Sequence, residues 1–219
     1  MFYMIGTEER FHSIQNLLKK FNLKINFFMI CFYYPMGNSL SRVPDINHED
    51  AKKFSHFPAK KIHEWSVSFR EHFPRGYITV SELELIFKRL FPFGSPKNFS
   101  IRLFETINIS QSNQVDFNEF LIAFSILLKG SDFEKLRWMF RFYDEDNDGI
   151  IDKKKMITIA QSIFDMTSNT LDVRIKADKV VDDLFCTLDN KSGFLTFEDF
   201  KELSRKKPAA FKTLIMFMD

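Results

Sequence analysis

Apolar residues recur with a helical period in short segments of the chain from about residue 50 onward, and polar stretches separate these segments. Within each segment the apolar positions are three and four residues apart, which places them on one face of a helix. One polar stretch has such a segment on both sides, with Leu136, Met139, Phe140 and Tyr143 before it and Met156, Ile159, Ala160 and Ile163 after it. The pattern predicts two helices joined by a loop.

This helix–loop–helix pattern occurs four times, with a period of roughly 40 residues. Each predicted loop has a residue suited to a tight turn, namely Gly76, Asn113, Gly149 and Gly193. Two positions later each loop has an apolar residue that can form a short β-bridge with a sister loop: Ile78, Val115, Ile151 and Leu195. We therefore expect an all-α fold in which unit one pairs with unit two and unit three with unit four, forming two lobes.

The period and the local composition divide the chain into four parts. Residues 1–35 differ in composition from the rest, and residues 36–57 form an arm before the first predicted helix. We expect residues 58–130 to form the N-terminal lobe and residues 131–219 the C-terminal lobe. The longer spacing between units three and four predicts a polar linker over about residues 167–179.

The third loop carries carboxylates at alternating positions. Asp144, Asp146 and Asp148 are followed directly by Gly149, which suits the sharp turn of a cation-binding loop. Alternating oxygen ligands of this kind converge on a hard cation, as in a 12-residue calcium loop. The expected ligands are the side chains of Asp144, Asp146, Asp148 and Asp152 and the main-chain carbonyl of Ile150. A simple acidic turn is the alternative, but the helical pattern on both sides favours a calcium loop.

The pattern departs from a calcium loop at position 12, where a bidentate glutamate normally supplies two of the roughly 6–8 oxygens around Ca²⁺. Here position 12 is Lys155, the last of three consecutive lysines. One hypothesis is that its ammonium lies among the loop carboxylates as a built-in counter-ion, so that the loop keeps its shape without calcium. The alternative is that Lys155 points into water. Without the glutamate, calcium binding at loop three is expected to be weak.

The second loop, residues 108–119, offers mostly neutral oxygens. Its ligand positions are Asn108, Ser110, Ser112, the Gln114 carbonyl, Asp116 and Glu119. Two of these are carboxylates, and Asn113 replaces the turn glycine, which is acceptable because asparagine tolerates the left-handed conformation. The low ligand charge predicts a second, weaker calcium site with a Kd on the order of 10⁻⁴–10⁻³ M or higher.

The first and fourth loops do not match a calcium site. Loop one, residues 71–82, has Phe73, Pro74 and Arg75 at positions 3 to 5, so two ligand positions are lost. Loop four is one residue short when Asp189 is taken as position 1, which moves its polar residues out of register. We expect both to be structural loops without metal.

Composition narrows the classes of function. The chain has 219 residues, a formal net charge of +2 and two cysteines, which indicates neither nucleic-acid binding nor a disulfide framework. Its five histidines show no metal-ligand spacing, and no nucleophile or phosphate-binding motif is present, so an enzyme is not indicated. The 28 phenylalanines exceed what a core of this size requires and favour a partner-binding groove.

The first 35 residues contain an apolar run from Ile25 to Tyr34, preceded by lysines. The run is too short to span a bilayer, which takes about 20 residues. The three interpretations are a signal peptide, an interfacial membrane anchor, and an incorrectly assigned start or alternative isoform. The last is favoured by Met36, which opens the pattern M-G-N-S-L-S, because this pattern allows N-myristoylation of Gly37 when translation begins there.

Five stretches together resemble one protein family. They are M-G-N-S-L-S at 36–41, F-P-R-G at 73–76, R-L-F-P-F-G-S-P at 89–96, F-N-E-F-L-I-A-F-S-I-L-L-K-G at 117–130 and K-L-R-W-M-F-R-F-Y-D at 135–144. From Met36 to about Phe217 the chain resembles the neuronal calcium sensor family of recoverin-like EF-hand proteins. The resemblance implies a calmodulin-like fold of two EF-hand lobes and a cytoplasmic regulator that associates reversibly with membranes.

The same resemblance implies a signalling role in which calcium binding exposes an apolar groove for a helical segment of a target protein. In this chain the candidate groove residues are Trp65, Phe69, Phe87, Phe91, Phe104, Phe120 and Phe124. The weakened loops leave two functions open: an EF-hand calcium sensor with weak calcium binding, and a calcium-insensitive EF-hand adaptor that keeps the groove. A fluorescence shift between calcium and chelator would distinguish them.

Overall fold

The computed structural model describes residues 55–167, 176–188 and 192–206, together with Phe211 and Leu214. Within these residues eight helices follow one another: α1 Ala59–His72, α2 Val80–Leu90, α3 Lys97–Ile107, α4 Phe117–Lys129, α5 Asp132–Tyr143, α6 Lys153–Thr167, α7 Ala177–Thr187 and α8 Phe197–Lys206. Four short strands lie between them: β1 Tyr77–Ile78, β2 Val115–Asp116, β3 Ile150–Asp152 and β4 Phe194–Thr196. Each strand joins the two helices of one unit, so the predicted four-unit EF-hand fold is confirmed.

The short strands pair the units as the sequence predicts. β1 and β2 are antiparallel with Ile78 opposite Val115, and β3 and β4 are antiparallel with Ile151 opposite Leu195. All four of these side chains are buried. The pairing places loop one beside loop two and loop three beside loop four, and this produces the two lobes. The exact boundary between the lobes, at residues 130 and 131, stays a prediction.

The apolar faces predicted for the helices form the core. Every apolar position predicted on either side of loop three, from Leu136 to Ile163, is buried. The same holds for positions in the other units, among them Ile62, Phe69, Leu83, Ile86, Leu103, Ile107, Val181, Leu184, Phe200 and Leu203. Leu188, the next position of the apolar face predicted before loop four, is only half-buried, because α7 ends one residue before it.

Several helices that leave a loop begin with a capping box. In α2 the Thr79 hydroxyl accepts from the Glu82 N–H, and the Glu82 carboxylate accepts from the Thr79 N–H at 2.9 Å. Equivalent reciprocal pairs join Asp116 to Glu119 and Thr196 to Asp199. These bonds satisfy N–H groups that the first turn of a helix otherwise leaves unpaired. They also fix positions 9 and 12 of each loop relative to the helix that follows.

The connection between α2 and α3 packs against the C-terminal lobe. The Ser95 N–H donates to the carbonyl of Asp165, near the end of α6, at 2.8 Å. A Cβ added at Gly94 would lie 1.7 Å from the Met166 carbonyl oxygen, so only glycine fits at this position. The two lobes therefore meet through main-chain atoms at this point.

Some of the sequence predictions concern residues outside the described ranges. These are residues 1–35, Gly37, residues 36–54 of the arm and residues 168–175 of the linker. Thr167 and Ala177, which lie within the predicted linker, belong to α6 and α7. Among the helices described here, none has both the length and the apolar character needed to cross a membrane.

Candidate metal site

Loop three connects α5 to α6 and takes a sharp turn at its centre. The Asp144 N–H continues α5 by donating to the Phe140 carbonyl at 2.8 Å. Asn147 and Gly149, at positions 4 and 6, have φ values of +56° and +85°. A Cβ on Gly149 would meet no atom within 4 Å, so the left-handed φ, not lack of space, is what favours glycine here. The turn predicted at position 6 is formed.

The turn brings three carboxylates together. Each of Asp144, Asp146 and Asp148 has a carboxylate oxygen within 4.8 Å of the others. Asp144 is only 6% exposed and accepts hydrogen bonds from the N–H groups of Asp148 at 3.2 Å and Gly149 at 3.1 Å. Burial raises the pKa of the Asp144 carboxyl, and the neighbouring Asp148 charge adds to this effect. The cluster concentrates negative charge and favours a nearby cation.

The chain itself supplies a cation to this cluster. The Lys155 ammonium donates to both carboxylate oxygens of Asp146 and lies 3.6 Å from Oδ2 of Asp152. The bond to Asp146 raises the pKa of Lys155, and the same bond lowers the pKa of Asp146. The predicted contact between Lys155 and the loop carboxylates is confirmed. The alternative, in which Lys155 points into water, is wrong.

The donor set of loop three fits calcium at its first positions and fails at its last. Three aspartate carboxylates at positions 1, 3 and 5 converge, and hard oxygen donors of this kind suit Ca²⁺. The ligand roles of the Ile150 carbonyl and the Asp152 side chain stay predictions. The side chain of Lys155 offers no oxygen ligand. Its main-chain N–H donates to Oδ1 of Asp152 at 2.8 Å. The residues present therefore fit a cation in part, and an ion there would have to compete with the ammonium for Asp146.

Loop two has the same backbone turn as loop three. Gln111 and Asn113, at positions 4 and 6, have φ values of +56° and +57°. They correspond to Asn147 and Gly149 of loop three. The turn at position 6 is therefore kept without a glycine, as the left-handed tolerance of asparagine predicts.

Hydrogen bonds within loop two already satisfy its oxygen atoms. The Asn108 amide oxygen accepts from the Ser110 hydroxyl at 3.3 Å and from the Ser112 N–H at 3.2 Å. The Ser112 hydroxyl donates to the Gln114 carbonyl at 2.7 Å. Glu119, at position 12, is buried and accepts from the Ser110 N–H at 2.7 Å. An ion would have to replace these bonds with little ligand charge, and a weaker second site here stays a prediction.

Loop one contains an ion pair of its own. Arg75 at position 5 lies 2.8 Å from the Glu82 carboxylate at position 12. The other Glu82 oxygen accepts from the Thr79 N–H and hydroxyl. The sequence pattern marks Arg75 as unsuited to a metal ligand, and the opposite charge of Glu82 at another ligand position is the signal that indicates their ion pair. The structure therefore places an internal cation in loop one as well as in loop three.

Loop four has full length and a different register from the one predicted. Gly193 has a φ of +81°, as expected for position 6, and its carbonyl accepts from the Lys153 N–H at 3.0 Å. The capping box of Thr196 and Asp199 then occupies positions 9 and 12, as Thr79 and Glu82 do in loop one. Position 1 is therefore Leu188, and the loop is not one residue short. Residues 189–191 lie outside the described ranges.

The chain is 31% identical over 185 residues to neuronal calcium sensor 1 of Lymnaea stagnalis, in an alignment that covers 83% of this chain and 97% of that protein. Similarity at this level over nearly the whole relative decides the family. The chain belongs to the neuronal calcium sensor family. The resemblance inferred from the sequence is thereby confirmed. No protein-family model matches the chain.

In this neuronal calcium sensor most of the candidate groove residues are buried. Trp65 is half-buried, and the other six are buried: Phe69, Phe87, Phe91, Phe104, Phe120 and Phe124. The structure brings several of them together, since Phe120 stacks on Phe124 at 5.5 Å and Trp65 meets Phe124 edge-on at 6.0 Å. Phe57, before α1, packs against Trp65 with ring centroids 4.6 Å apart. Their role in a target-binding groove stays a prediction.

Proposed function

We propose that this neuronal calcium sensor is a regulatory protein, not an enzyme, which binds a helical segment of a target protein in the N-terminal lobe. Calcium binds to it weakly, and loop three is the principal site. Membership of the family supports the regulatory role. The cluster of Asp144, Asp146 and Asp148 supports a calcium site in loop three.

The contact between Lys155 and Asp146 is the observation that carries the proposal of weak binding. A glutamate at position 12 would add two oxygen ligands, and lysine adds none. In addition, the ammonium occupies Asp146, one of the three clustered ligands, and its charge repels a divalent cation. Both effects reduce the affinity of the loop for calcium, while the ion pair keeps the carboxylates close together without metal.

Isothermal titration calorimetry with calcium chloride on the wild type, Lys155→Glu and Lys154→Glu tests this site. Lys154 is exposed and adjacent to Lys155, so Lys154→Glu changes the net charge equally without restoring a ligand. We expect Lys155→Glu to tighten calcium binding by at least about tenfold and Lys154→Glu to change it far less. Equal affinities of the wild type and Lys155→Glu would contradict the proposal.

The aromatic residues of α1 and α4 support the target-binding part of the proposal. Trp65 reaches the surface beside the stacked pair of Phe120 and Phe124, so apolar side chains lie directly behind it. A helical segment with apolar residues on one face would bind here when α1 and α4 move apart. Such an opening exposes aromatic surface that the described structure buries.

Fluorescence of the dye 1-anilinonaphthalene-8-sulfonate, which binds exposed apolar surface, measures this opening. We expect calcium to increase the dye fluorescence of Lys155→Glu, in which loop three has its glutamate, relative to the same chain in chelator. The Lys154→Glu chain serves as the control and should respond as the wild type does. If Lys155→Glu binds calcium without any change in dye fluorescence, the groove is not under calcium control.

A calcium-insensitive adaptor is the second candidate function. It is favoured by the internal ion pairs of two loops, Arg75 with Glu82 and Lys155 with Asp146, which place positive charge in the loops without metal. Such an adaptor would bind its target equally well in calcium and in chelator. The absence of calorimetric heat in the wild type at millimolar calcium would support it, whereas a measurable weak isotherm would support the calcium sensor.

We further propose that the protein works in the cytoplasm and associates reversibly with membranes through a myristoyl group on Gly37. The M-G-N-S-L-S pattern at residues 36–41 supports this, provided that translation begins at Met36. The intact mass of the protein from its native source provides the test. A chain that begins at Gly37 and carries a myristoyl group would support the proposal, and an unacylated chain that begins at Met1 would contradict it.

A further inference from the structure

A buried arginine of the N-terminal lobe holds the beginning of loop three. Arg102 lies on α3 and is 8% exposed. Its Nε donates to the Phe142 carbonyl at 2.7 Å, and its Nη2 donates to the carbonyls of Arg141 at 2.7 Å and Asp144 at 3.3 Å. The first two carbonyls belong to the last turn of α5, and the third belongs to position 1 of loop three. One side chain therefore binds both the end of a helix and the start of the candidate metal site.

The chemistry of a helix end explains why arginine suits this position. The last turn of a helix leaves carbonyl oxygens without partners in the helix, and the macrodipole places partial negative charge there. The guanidinium supplies several donors in a fixed plane together with a positive charge. Within the part of the chain that the structure describes, its carboxylate partner is Glu105, which lies 3.2 Å away and is half-exposed, so this pair is a minor contact. The carbonyls of α5 are what position Arg102.

The same helix leads directly into loop two. α3 ends at Ile107, and Asn108 at position 1 of loop two follows it. α3 is also held from the side, because the Phe99 ring packs against the Phe142 ring with centroids 5.8 Å apart. Movement of the last turn of α5 therefore cannot leave α3 unaffected. Through α3, such movement reaches the hydrogen bonds that close loop two.

We infer that Arg102 couples loop three to loop two across the two lobes. The guanidinium ties the main chain of Asp144 to α3, so a rearrangement of the Lys155–Asp146 ion pair shifts α3 and the loop that follows it. The coupling is a property of the protein without metal or target. It therefore goes beyond the function proposed above, and it stands or falls independently of calcium affinity.

Amide chemical shifts measured by ¹⁵N NMR in chelator test the coupling. Lys155→Met breaks the ion pair, and the shifts of the Ser110 and Gln111 amides report its effect on loop two. We expect this effect in the chain with Arg102, and we expect it to be at least about twofold smaller in the Arg102→Met background. The inference would be overturned if Lys155→Met changed the loop-two shifts equally in both backgrounds, or if it left them unchanged in the chain with Arg102.

Two further variants separate coupling from simple loss of structure. Glu105→Gln removes the carboxylate partner of Arg102 and leaves the carbonyl contacts, so the response of loop two to Lys155→Met should remain complete. Near-ultraviolet circular dichroism establishes whether Arg102→Met is folded. If it is not, Arg102→Lys, which keeps the charge without the planar set of donors, decides the question: a reduced loop-two response supports the inference, and a complete response overturns it.

Discussion

Tyr143 ends α5 and binds the main chain of Leu214. Its side chain is fully buried, and its hydroxyl donates to the Leu214 carbonyl at 2.7 Å. Burial raises the pKa of this hydroxyl. Because the folded state keeps the proton, the contribution of Tyr143 to stability is complete below the ordinary tyrosine pKa of about 10 and is lost as the pH rises above it, where the unfolded chain ionises first.

Replacing Tyr143 with phenylalanine separates the contribution of the hydrogen bond from the pH dependence caused by the raised pKa. At pH 7, Tyr143→Phe should lower the free energy of unfolding by about 1 kcal/mol, since the hydrogen bond to Leu214 is lost. Above about pH 10 the wild type should lose stability more steeply than Tyr143→Phe, because only the wild type has this hydroxyl to ionise on unfolding. Urea denaturation at pH 7, 10 and 11 measures both. Tyr77→Phe, at a partly exposed position, is the control; parallel pH profiles of all three chains would contradict the account.

Among single residues, Lys155 is one whose contact could be predicted from the sequence. Alternating carboxylates repel one another, and a lysine at the end of the same loop is within reach of them, so charge alone indicated the contact with Asp146. The burial of Asp144 could not be predicted in this way. It depends on tertiary packing at the end of α5, where Arg102 of the N-terminal lobe donates to the Asp144 carbonyl, and the residue pattern of the loop does not contain this contact.

At the scale of the helix, the capping box of α8 gives a direct test of how the loops are anchored. Thr196→Ala removes the hydroxyl that accepts from the Asp199 N–H and donates to the Asp199 carboxylate. We expect the free energy of unfolding to fall by about 1 kcal/mol, as measured by urea denaturation. Thr158→Ala on α6 is the matched control, because that hydroxyl is exposed and donates to the Lys154 carbonyl of its own helix. Equal effects of the two substitutions would show that the box does not anchor α8.

The helices and strand pairs were predictable because their signals are local. A helical face is defined by spacings of three and four residues, and each β-bridge follows its turn residue by two positions. The register of loop four was not predictable in the same way. Asp189 resembles a first ligand, but the left-handed turn at Gly193 and the capping box at Thr196 set the numbering and place Leu188 at position 1.

At the scale of the whole molecule, the close approach at Gly94 joins the lobes. Gly94→Ala would place a Cβ against the main chain of Met166, and main-chain atoms cannot rotate out of the way. We expect this substitution to lower the free energy of unfolding by at least about 2 kcal/mol in urea denaturation. Gly193→Ala is the comparison, since it meets open space and strains only a φ of +81°. A smaller loss for Gly94→Ala than for Gly193→Ala would contradict the described interface.

The contacts between the lobes could not be predicted from the sequence. Arg102 and Phe142 are 40 residues apart, and nothing in the spacing of either segment indicates that one binds the other. A buried arginine also contradicts the helical pattern, which assigns charged residues to the exposed face. The arrangement depends on the way the two lobes pack, which local sequence periods do not determine.

The central claim is that Lys155 stands at position 12 of loop three, where a calcium loop has glutamate, and that its ammonium pairs with the loop carboxylates. The loop is then closed without metal and binds calcium weakly. The most direct measurement is a calcium titration of the unmodified chain, starting in chelator and followed at the Gly149 amide by ¹⁵N NMR. We predict that the Gly149 signal does not saturate below about 10⁻⁴ M free calcium. Saturation at about 10⁻⁶ M, with one ion bound per chain, would contradict the account.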